Sequence, residues 1–379
     1  MILTDTQTMI RDTARNFARE RLAPGAAERD VKAQFPKKEI EEIGRLGLMG
    51  MLIPEAHGGS GADYVSMALA IEEIAAGDGS VSTIVSVQNS LVGAGLLKFG
   101  NDWQKEHFLK PVASGKMLGA FALSEPQAGS DAAALRCSAK RNGDHYVLNG
   151  SKQFITSGKH AQVALVFAVT DAAAGKKGIS AFIVPTGTPG YQVAKIEHKM
   201  GQTSSDTASL LFENMRIQAT HLLGKEGEGY KIALSNLEGG RIGIAAQSIG
   251  MARAAYEVAM NYAKEREAFG KPIVQHQAVS FRLADMATDI EAARALLLHA
   301  ASLRDANQPC LKEACMAKLF ASEMAERVCS AAMQTLGGYG YLRDFPLERI
   351  CRDVRVCQIY EGTSDIQRII ISREIGHAA

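Results

Sequence analysis

Two stretches of the chain join polar side chains to glycine in a way that could do chemistry. The first runs Phe121-Ala122-Leu123-Ser124-Glu125-Pro126-Gln127-Ala128-Gly129-Ser130-Asp131. Its glycine and hydroxyl residues would let backbone N–H groups approach an anionic or carbonyl-rich ligand. The second runs Ile359-Tyr360-Glu361-Gly362-Thr363-Ser364-Asp365-Ile366-Gln367-Arg368. Here Ser364 and Gln367 read as a capping box, so Glu361 stands just before a helix N-terminus with free N–H groups nearby. Each also has a plain structural reading. The first could equally be a tight turn between domains, and a carboxylate in the second is the ordinary complement of a helix dipole.

The common alternatives are missing. None of the five Gly-Lys pairs completes a phosphate-binding loop, and no G-x-G-x-x-G follows a strand and opens a helix. The nine histidines never fall in H-x-x-x-H spacing and the six cysteines form no C-x-x-C pair, so no zinc framework is expected and the thiols read as reduced. Ala246-Gln247-Ser248-Ile249-Gly250 approaches a nucleophile elbow but lies within a helical pattern. With 42 Lys and Arg against 41 Asp and Glu, no global field favours a polyanion, so nucleic acid is not an expected partner. No apolar signal core opens the chain and no uncharged apolar run reaches a membrane span. The expectation is a soluble protein, cytoplasmic, or of the mitochondrial matrix if processed.

The elements that must position the two stretches can be read from periodicity. A capping box at Thr4 and Gln7 starts a helical region lasting to about Gly115. Between about 120 and 220 the texture changes to short β-branched or aromatic runs: His145 to Leu148, Val163 to Val169, Ile179 to Val184 and Leu210 to Phe212. Helical periodicity then returns, broken at Gly270-Lys271-Pro272, Asn307-Gln308-Pro309 and Gly337-Gly338-Tyr339-Gly340. Val279, Leu283, Met286, Ile290, Ala293, Leu297 and Ala300 recur at alternating four and three, as do Ala314, Ala317, Ala321, Met324, Val328 and Ala331, which predicts two long helices sharing a seam in an antiparallel bundle. The chain reads as mainly α with a β insert: an N-terminal helical domain over 1–118, a middle β domain over 119–225 and a C-terminal helical bundle over 226–379.

The first stretch resembles the acyl-CoA dehydrogenase family, and so do Asn149 to Gly158, Arg266 to Gly270, Gln334 to Gly338 and Tyr360 to Ser364, in that family's order and spacing. The run Leu237 to Gln247 is most similar to the short-chain and short/branched-chain members. The resemblance implies a β-barrel-like middle domain, a C-terminal four-helix bundle and a flavoenzyme. Such an enzyme takes an α-proton from an acyl-CoA thioester with a carboxylate and passes the β-hydrogen as hydride to FAD N5. It further implies roles in fatty-acid β-oxidation or branched-chain amino-acid catabolism, and an electron-transfer flavoprotein as acceptor.

Glu361 falls on the family's base. Such a base needs a pKa raised toward neutrality, which a dry acyl pocket provides by disfavouring charge, and the Glu361 N–H could stabilise enolate-like charge. Some relatives carry the base immediately before the arginine matching Arg241; here that residue is Gly240, and Glu238 is three residues away. By carry-over Phe121, Leu123, Ser124, Gly129, Ser130, Phe154, Ile155 and Thr156 hold the flavin of the same subunit. Arg266, Gln277 and the run Gln334, Thr335, Leu336, Gly337 and Gly338 reach that of a neighbour, whereas Thr363, Ser364 and Asp365 close over the cofactor from the capped helix end. Ser130, Glu238, Gly239, Gly240, Arg241 and Gly362 fall at the substrate. Sharing of cofactor sites requires at least a homodimer, and the family is commonly a dimer of dimers. Thr83, Ile84, Val87, Gln88 and Leu91 should floor a short acyl pocket, C4 to C5 straight or 2-methyl-branched. An oxidase, another flavin reaction on this scaffold, or a non-catalytic flavin- or CoA-binding protein are the rival readings.

Two departures stand out. Phe154 occupies a place where many relatives have Trp, and Gln127 one where Gly is common, so a permissive backbone is expected at 127.

Overall fold

The structure, a computed structural model, describes residues 2–376. Its first part is helical: α1 (Asp5–Phe17), α2 (Ala23–Lys32), α3 (Lys37–Arg45), α4 (Tyr64–Gly77), α5 (Gly79–Ser86), α6 (Ala94–Phe99) and the short α7 (Asp102–Gln104) and α8 (Lys110–Ala113). The expected capping box at α1 is present, with Gln7 N–H donating to Thr4 Oγ1 at 3.2 Å and Thr4 N–H to Gln7 Oε1 at 3.0 Å. A π-helical stretch, Val87–Gly93, joins α5 to α6 into one continuous helix.

That helix corrects one sequence reading. Gly79–Phe99 is long and apolar enough to cross a membrane. It is instead the central helix of this part, buried along most of its length against α9 and β1. Its two amide side chains are satisfied inside the protein: Gln88 Nε2 donates to the carbonyls of Val112 and Met117, and Asn89 Nδ2 to those of Leu48 and Val85.

The middle part is an eight-stranded sheet of β1 (Gly119–Ala122), β2 (Ser138–Asn142), β3 (His145–Thr156), β4 (Val163–Val169), β5 (Ile179–Pro185), β6 (Tyr191–Ile196), β7 (Thr207–Gln218) and β8 (Leu222–Leu223). The order is β6-β7-β3-β2-β4-β5-β8, with β1 parallel to β4. All four runs picked out by their β-branched and aromatic content are strands, and β3 and β7 extend well beyond them. The centre of β4 and β5 is buried on both faces, which explains their unbroken apolar sequence.

The last part begins with α9 (Gly229–Glu265), a hairpin of β9 (Glu267–Ala268) and β10 (Lys271–Pro272), and α10 (Gln277–Asp305). It continues with α11 (Leu311–Leu336), α12 (Leu347–Val354) and α13 (Ser364–Gly376). The predicted seam is the buried one: Leu283, Met286, Ile290, Ala293, Leu297 and Ala300 of α10, and Ala314, Ala317, Ala321, Met324 and Val328 of α11, while Val279 and Ala331 pack at its edge. Alanine on α11 permits its close approach to α9. Ser248 lies mid-α9 with its hydroxyl returned to the Ile244 carbonyl, as a helical position rather than an elbow.

Candidate active site

Glu361 is the residue around which the site is built. It lies in the short link between Arg355–Gln358, a 3-10 turn, and α13, with φ +51°, left-handed backbone that a glutamate seldom adopts; Gly362 follows at φ +89°. Three hydrogen bonds hold this bend. Gln367 Nε2 reaches back to the carbonyls of Glu361 (3.2 Å) and Gly362 (2.8 Å), and Lys318 Nζ of α11 donates to the Gly362 carbonyl at 2.7 Å. The capping box expected at Ser364 and Gln367 therefore does not form. Thr363 is the cap, its Oγ1 accepting from Ile366 N–H, because Gln367 is spent on the two carbonyls upstream.

The carboxylate points at α9. A Cβ on Gly240 would stand 2.8 Å from Glu361 Cδ and closer still to Oε2, so the absent side chain at 240 is the space the carboxylate occupies. Both carboxylate oxygens are sealed from solvent, yet neither has a hydrogen-bond partner. Burial pushes this acid up to about 7, against the opposing pull of the Arg241 and Lys318 cations. Arg241 is buried as well, and its Nε has no partner. The arrangement is a dry, unpaired carboxylate poised to exchange a proton near neutral pH. Glu238, the other acid nearby, is engaged elsewhere: its Oε1 accepts from Arg304 at 2.7 Å and from the Cys310 thiol at 3.1 Å.

The segment around Glu361 is tied to the sheet through Gln202, in the link between β6 and β7. Its backbone N–H donates to Asp353, its Nε2 to the Asp353 carbonyl (3.0 Å) and to the Tyr360 hydroxyl (3.3 Å). Tyr360 in turn donates to Gln247, whose Nε2 donates to Thr83 Oγ1 at 2.6 Å. Thr83, Gln247 and Tyr360 each fall in stretches noted in the sequence, but their joining into one buried polar cluster through Gln202 and Asp353 was not read from it. Gln247 lies seven residues, or roughly 10 Å, along α9 from Gly240.

A second assembly is the loop after β1. Lys152 of β3, fully buried, donates to the Leu123 carbonyl (3.0 Å) and to Glu125 (2.8 Å), and Gln153 N–H donates to the Ser124 carbonyl (2.9 Å). Glu125 also accepts from the N–H groups of Arg136 and Cys137. Burial opposes its charge, but Lys152 and these donors outweigh it and hold the acid below the usual carboxylate range. Leu123, Ser124 and β3 through Phe154 are thereby locked into one cradle. Gly129 and Ser130 are exposed at its rim, and Phe154, at φ +61°, presents its ring outward, 66% exposed. Phe121 packs on Phe167 and Ile155 turns into the sheet core, so what they offer a ligand is backbone. Gln127 has no positive φ; it bonds to Glu125 and to the Ala134 carbonyl, so the loop accepts it without strain.

A third assembly lies at the far end of α11. Arg266, Gln334, Thr335, Leu336, Gly337 and Gly338 line a hollow of about 510 Å³ with Tyr262 and Tyr339. Gln277, exposed at the start of α10, is not among its lining residues. Gln334 is 16 residues from Lys318, roughly 24 Å along the helix, so this hollow is well separated from Glu361 of the same chain.

These surfaces fit a large flat ligand with an anionic tail. Phe154 offers an exposed ring face, Gly129, Gly337 and Gly338 have open space where a side chain would be, and the buried Ser364 hydroxyl has no partner. Among the described residues no cluster of His, Cys, Asp and Glu could hold a metal.

Comparison with known proteins gives the site its context. Three family models match: the acyl-CoA dehydrogenase N-terminal domain over 4–116, middle domain over 120–215 and C-terminal domain over 227–376. The short-chain specific acyl-CoA dehydrogenase of Bos taurus mitochondria is 48% identical over 370 residues, 98% of this chain and 90% of that protein. Butyryl-CoA dehydrogenase from Megasphaera elsdenii superimposes with a TM-score of 0.97 at 44% identity, over 99% of each chain. A chain from the structural study of the electron transferring flavoprotein of Acidaminococcus fermentans does so at 0.98 and 47%, again over 99% of each. A glutaryl-CoA dehydrogenase from Mycobacterium smegmatis, solved with FADH2, gives 0.94 and 33% over 98% of this chain and 95% of that one. The cradle and the hollow suit FAD, and the chain belongs to the acyl-CoA dehydrogenase family, as an FAD-dependent oxidoreductase with that family's three-domain fold.

Proposed function

We propose that this enzyme desaturates a short acyl-CoA, straight or 2-methyl-branched, between Cα and Cβ, with Glu361 as the base. The observation that carries the reading is the carboxylate of Glu361, buried, unpaired and aimed into the space left by Gly240. Proton removal from a thioester α-carbon needs a base whose affinity for the proton is close to ambient pH, and burial supplies that. The chemistry that FAD supplies when bound is acceptance of the β-hydrogen as hydride at N5. The protein's part is to hold the acyl group, exclude water and carry the proton on Glu361. The Glu361 N–H, at a left-handed bend, is the donor assigned to the developing enolate oxygen. Leu123, Ser124, Gly129, Ser130 and Phe154 to Thr156 are the residues assigned to the flavin, with Thr363 to Asp365 above it.

The short chain length rests on the polar cluster of Tyr360, Gln247 and Thr83, two helical turns beyond Gly240. A longer acyl tail would have to desolvate or break that cluster. The distant hollow at Arg266 and Gln334–Gly338 is assigned to the flavin of a second subunit. Tyr339 and Leu342 of its lining are exposed, as are Phe269 and Tyr341 close to lining residues in sequence, an apolar rim suited to a partner copy in a dimer or dimer of dimers. An electron-transfer flavoprotein is the acceptor proposed, in keeping with the Acidaminococcus relative.

The test is anaerobic reduction of the bound flavin by butyryl-, 2-methylbutyryl- and octanoyl-CoA, with wild type and Glu361→Gln. Short substrates should win in kcat/KM, and E361Q should keep its FAD while losing about 10²–10⁴-fold in rate. Preference for octanoyl-CoA overturns the chain-length reading, and a nearly active E361Q overturns the base.

A further inference from the structure

Lys318 is a lone charge in the alanine-rich seam of α11, flanked there by Ala314, Cys315, Ala317 and Ala321, and it is completely buried. A buried ammonium is costly unless paired. Among the described residues it forms no ion pair with a carboxylate, and its one hydrogen bond goes to the Gly362 carbonyl. Such a group is poorly placed to stabilise the fold for its own sake.

We propose that Lys318 is the positioning residue of the base: it clamps the left-handed Glu361–Gly362 bend through the Gly362 carbonyl and holds a positive charge near the carboxylate without bonding to it. This rests on the reading of Glu361 as base. The division matters chemically. A direct ion pair would hold the carboxylate charged and too weakly basic, whereas no cation at all would leave it protonated in the dry pocket. Placing the ammonium on the adjacent carbonyl supplies the charge and leaves both carboxylate oxygens free. The groups facing Glu361 are Arg241 from α9 and Lys318 from α11. Those facing Lys318 are Glu361 from the link before α13, Cys357 from the 3-10 turn preceding it, Arg241 from α9, and Cys315 on its own helix. Burial lowers the lysine itself to about 8, with Glu361 and Cys357 working against that fall.

The experiment compares FAD-loaded wild type, Lys318→Met, Glu361→Gln and the double variant. Thermal melting from pH 5 to 9 gives, as the wild type minus E361Q difference, the titration of Glu361 in the folded protein without any reliance on turnover. In the K318M background, set against K318M/E361Q, the midpoint should move up by about one pH unit or more. In K318M kcat should fall about 10²-fold while KM for butyryl-CoA stays within about threefold. An unmoved midpoint together with kcat within about threefold of wild type overturns the proposal. Should K318M fail to fold, K318M/E361Q is expected to fold and bind FAD, since it removes the charge the ammonium is there to hold; failure of both marks Lys318 as packing alone and also overturns it. An inactive E361Q beside a normal K318M refutes only the role of Lys318, whereas an active E361Q refutes the base itself.

Discussion

Gly240→Ala separates the aim of the base from the stability of the fold. An alanine inside α9 should be favourable by up to about 1 kcal/mol over glycine in helix propensity alone. Its Cβ, however, would stand 2.8 Å from Glu361 Cδ and 3.1 Å from Oε1, against an ordinary carbon contact of roughly 3.5–4.0 Å. What must yield is the end of a flexible side chain, Oε2 being closest of all, so the carboxylate retreats by at least about 1 Å and the helix stays. A displacement of about 1 Å at a reacting group costs about 10²-fold, or about 2.7 kcal/mol in the barrier. For 379 residues the unfolding entropy is about 0.8 kcal/mol/K, so the helix term shifts Tm by only about 1 °C. The assay is stopped-flow anaerobic reduction of the bound flavin by butyryl-CoA, run beside a melting curve. The expected result is FAD retained, Tm within about 2 °C of wild type and a rate down about 100-fold. A G240A enzyme that reduces its flavin within threefold of the wild-type rate would refute the placement of the carboxylate.

Other expectations follow from the same geometry. Glu361 is raised from about 4.5 to about 7 on folding, so the folded state binds the proton more tightly; stability is lost as pH rises between those values, and the cost is fully present above pH 7. Relative to E361Q, wild type should be equally stable below pH 4.5 and weaker by about 3 kcal/mol above pH 7, roughly 4 °C in Tm; a difference flat across pH contradicts it. Lys152→Met strips Glu125 of its buried cation and should cost about 3–5 kcal/mol together with FAD affinity, read by melting and flavin content; unaltered values speak against the cradle. Gln127→Gly should destabilise by about 1 kcal/mol, because the residue sits unstrained with two hydrogen bonds; a rise in Tm would show hidden strain there.

Much of this was legible from one strand of text. The seam residues of α10 and α11, the strand runs and the first capping box have periodicities that only one local structure satisfies. The position of Glu361 before a helix and the absence of an acid at 240 could also be read. What could not be read were groups whose role depends on distant partners. Lys318, 43 residues from Glu361, looks like any helical lysine until its place on the buried alanine stripe is noticed, which is the signal that should have marked it. Gln202 carries no local pattern at all, and nothing in the helical run around Gln247 marks the contact by which the two join three regions of the chain. Ser364 and Gln367 misled for the opposite reason: the capping-box spacing was present, but the carbonyls of the preceding left-handed bend were better acceptors for Gln367 than the cap.

Gln202 also has a mechanical meaning. One amide side chain and its own N–H fasten the rim of the sheet to Asp353 and Tyr360, the latter covalently adjacent to Glu361. A hinge opening between sheet and helices cannot occur there without tugging on the acid's immediate neighbour. Force applied to the β portion of the molecule, for instance by a protein docking on its outer face, is therefore delivered within one peptide bond of the buried carboxylate proposed as the base.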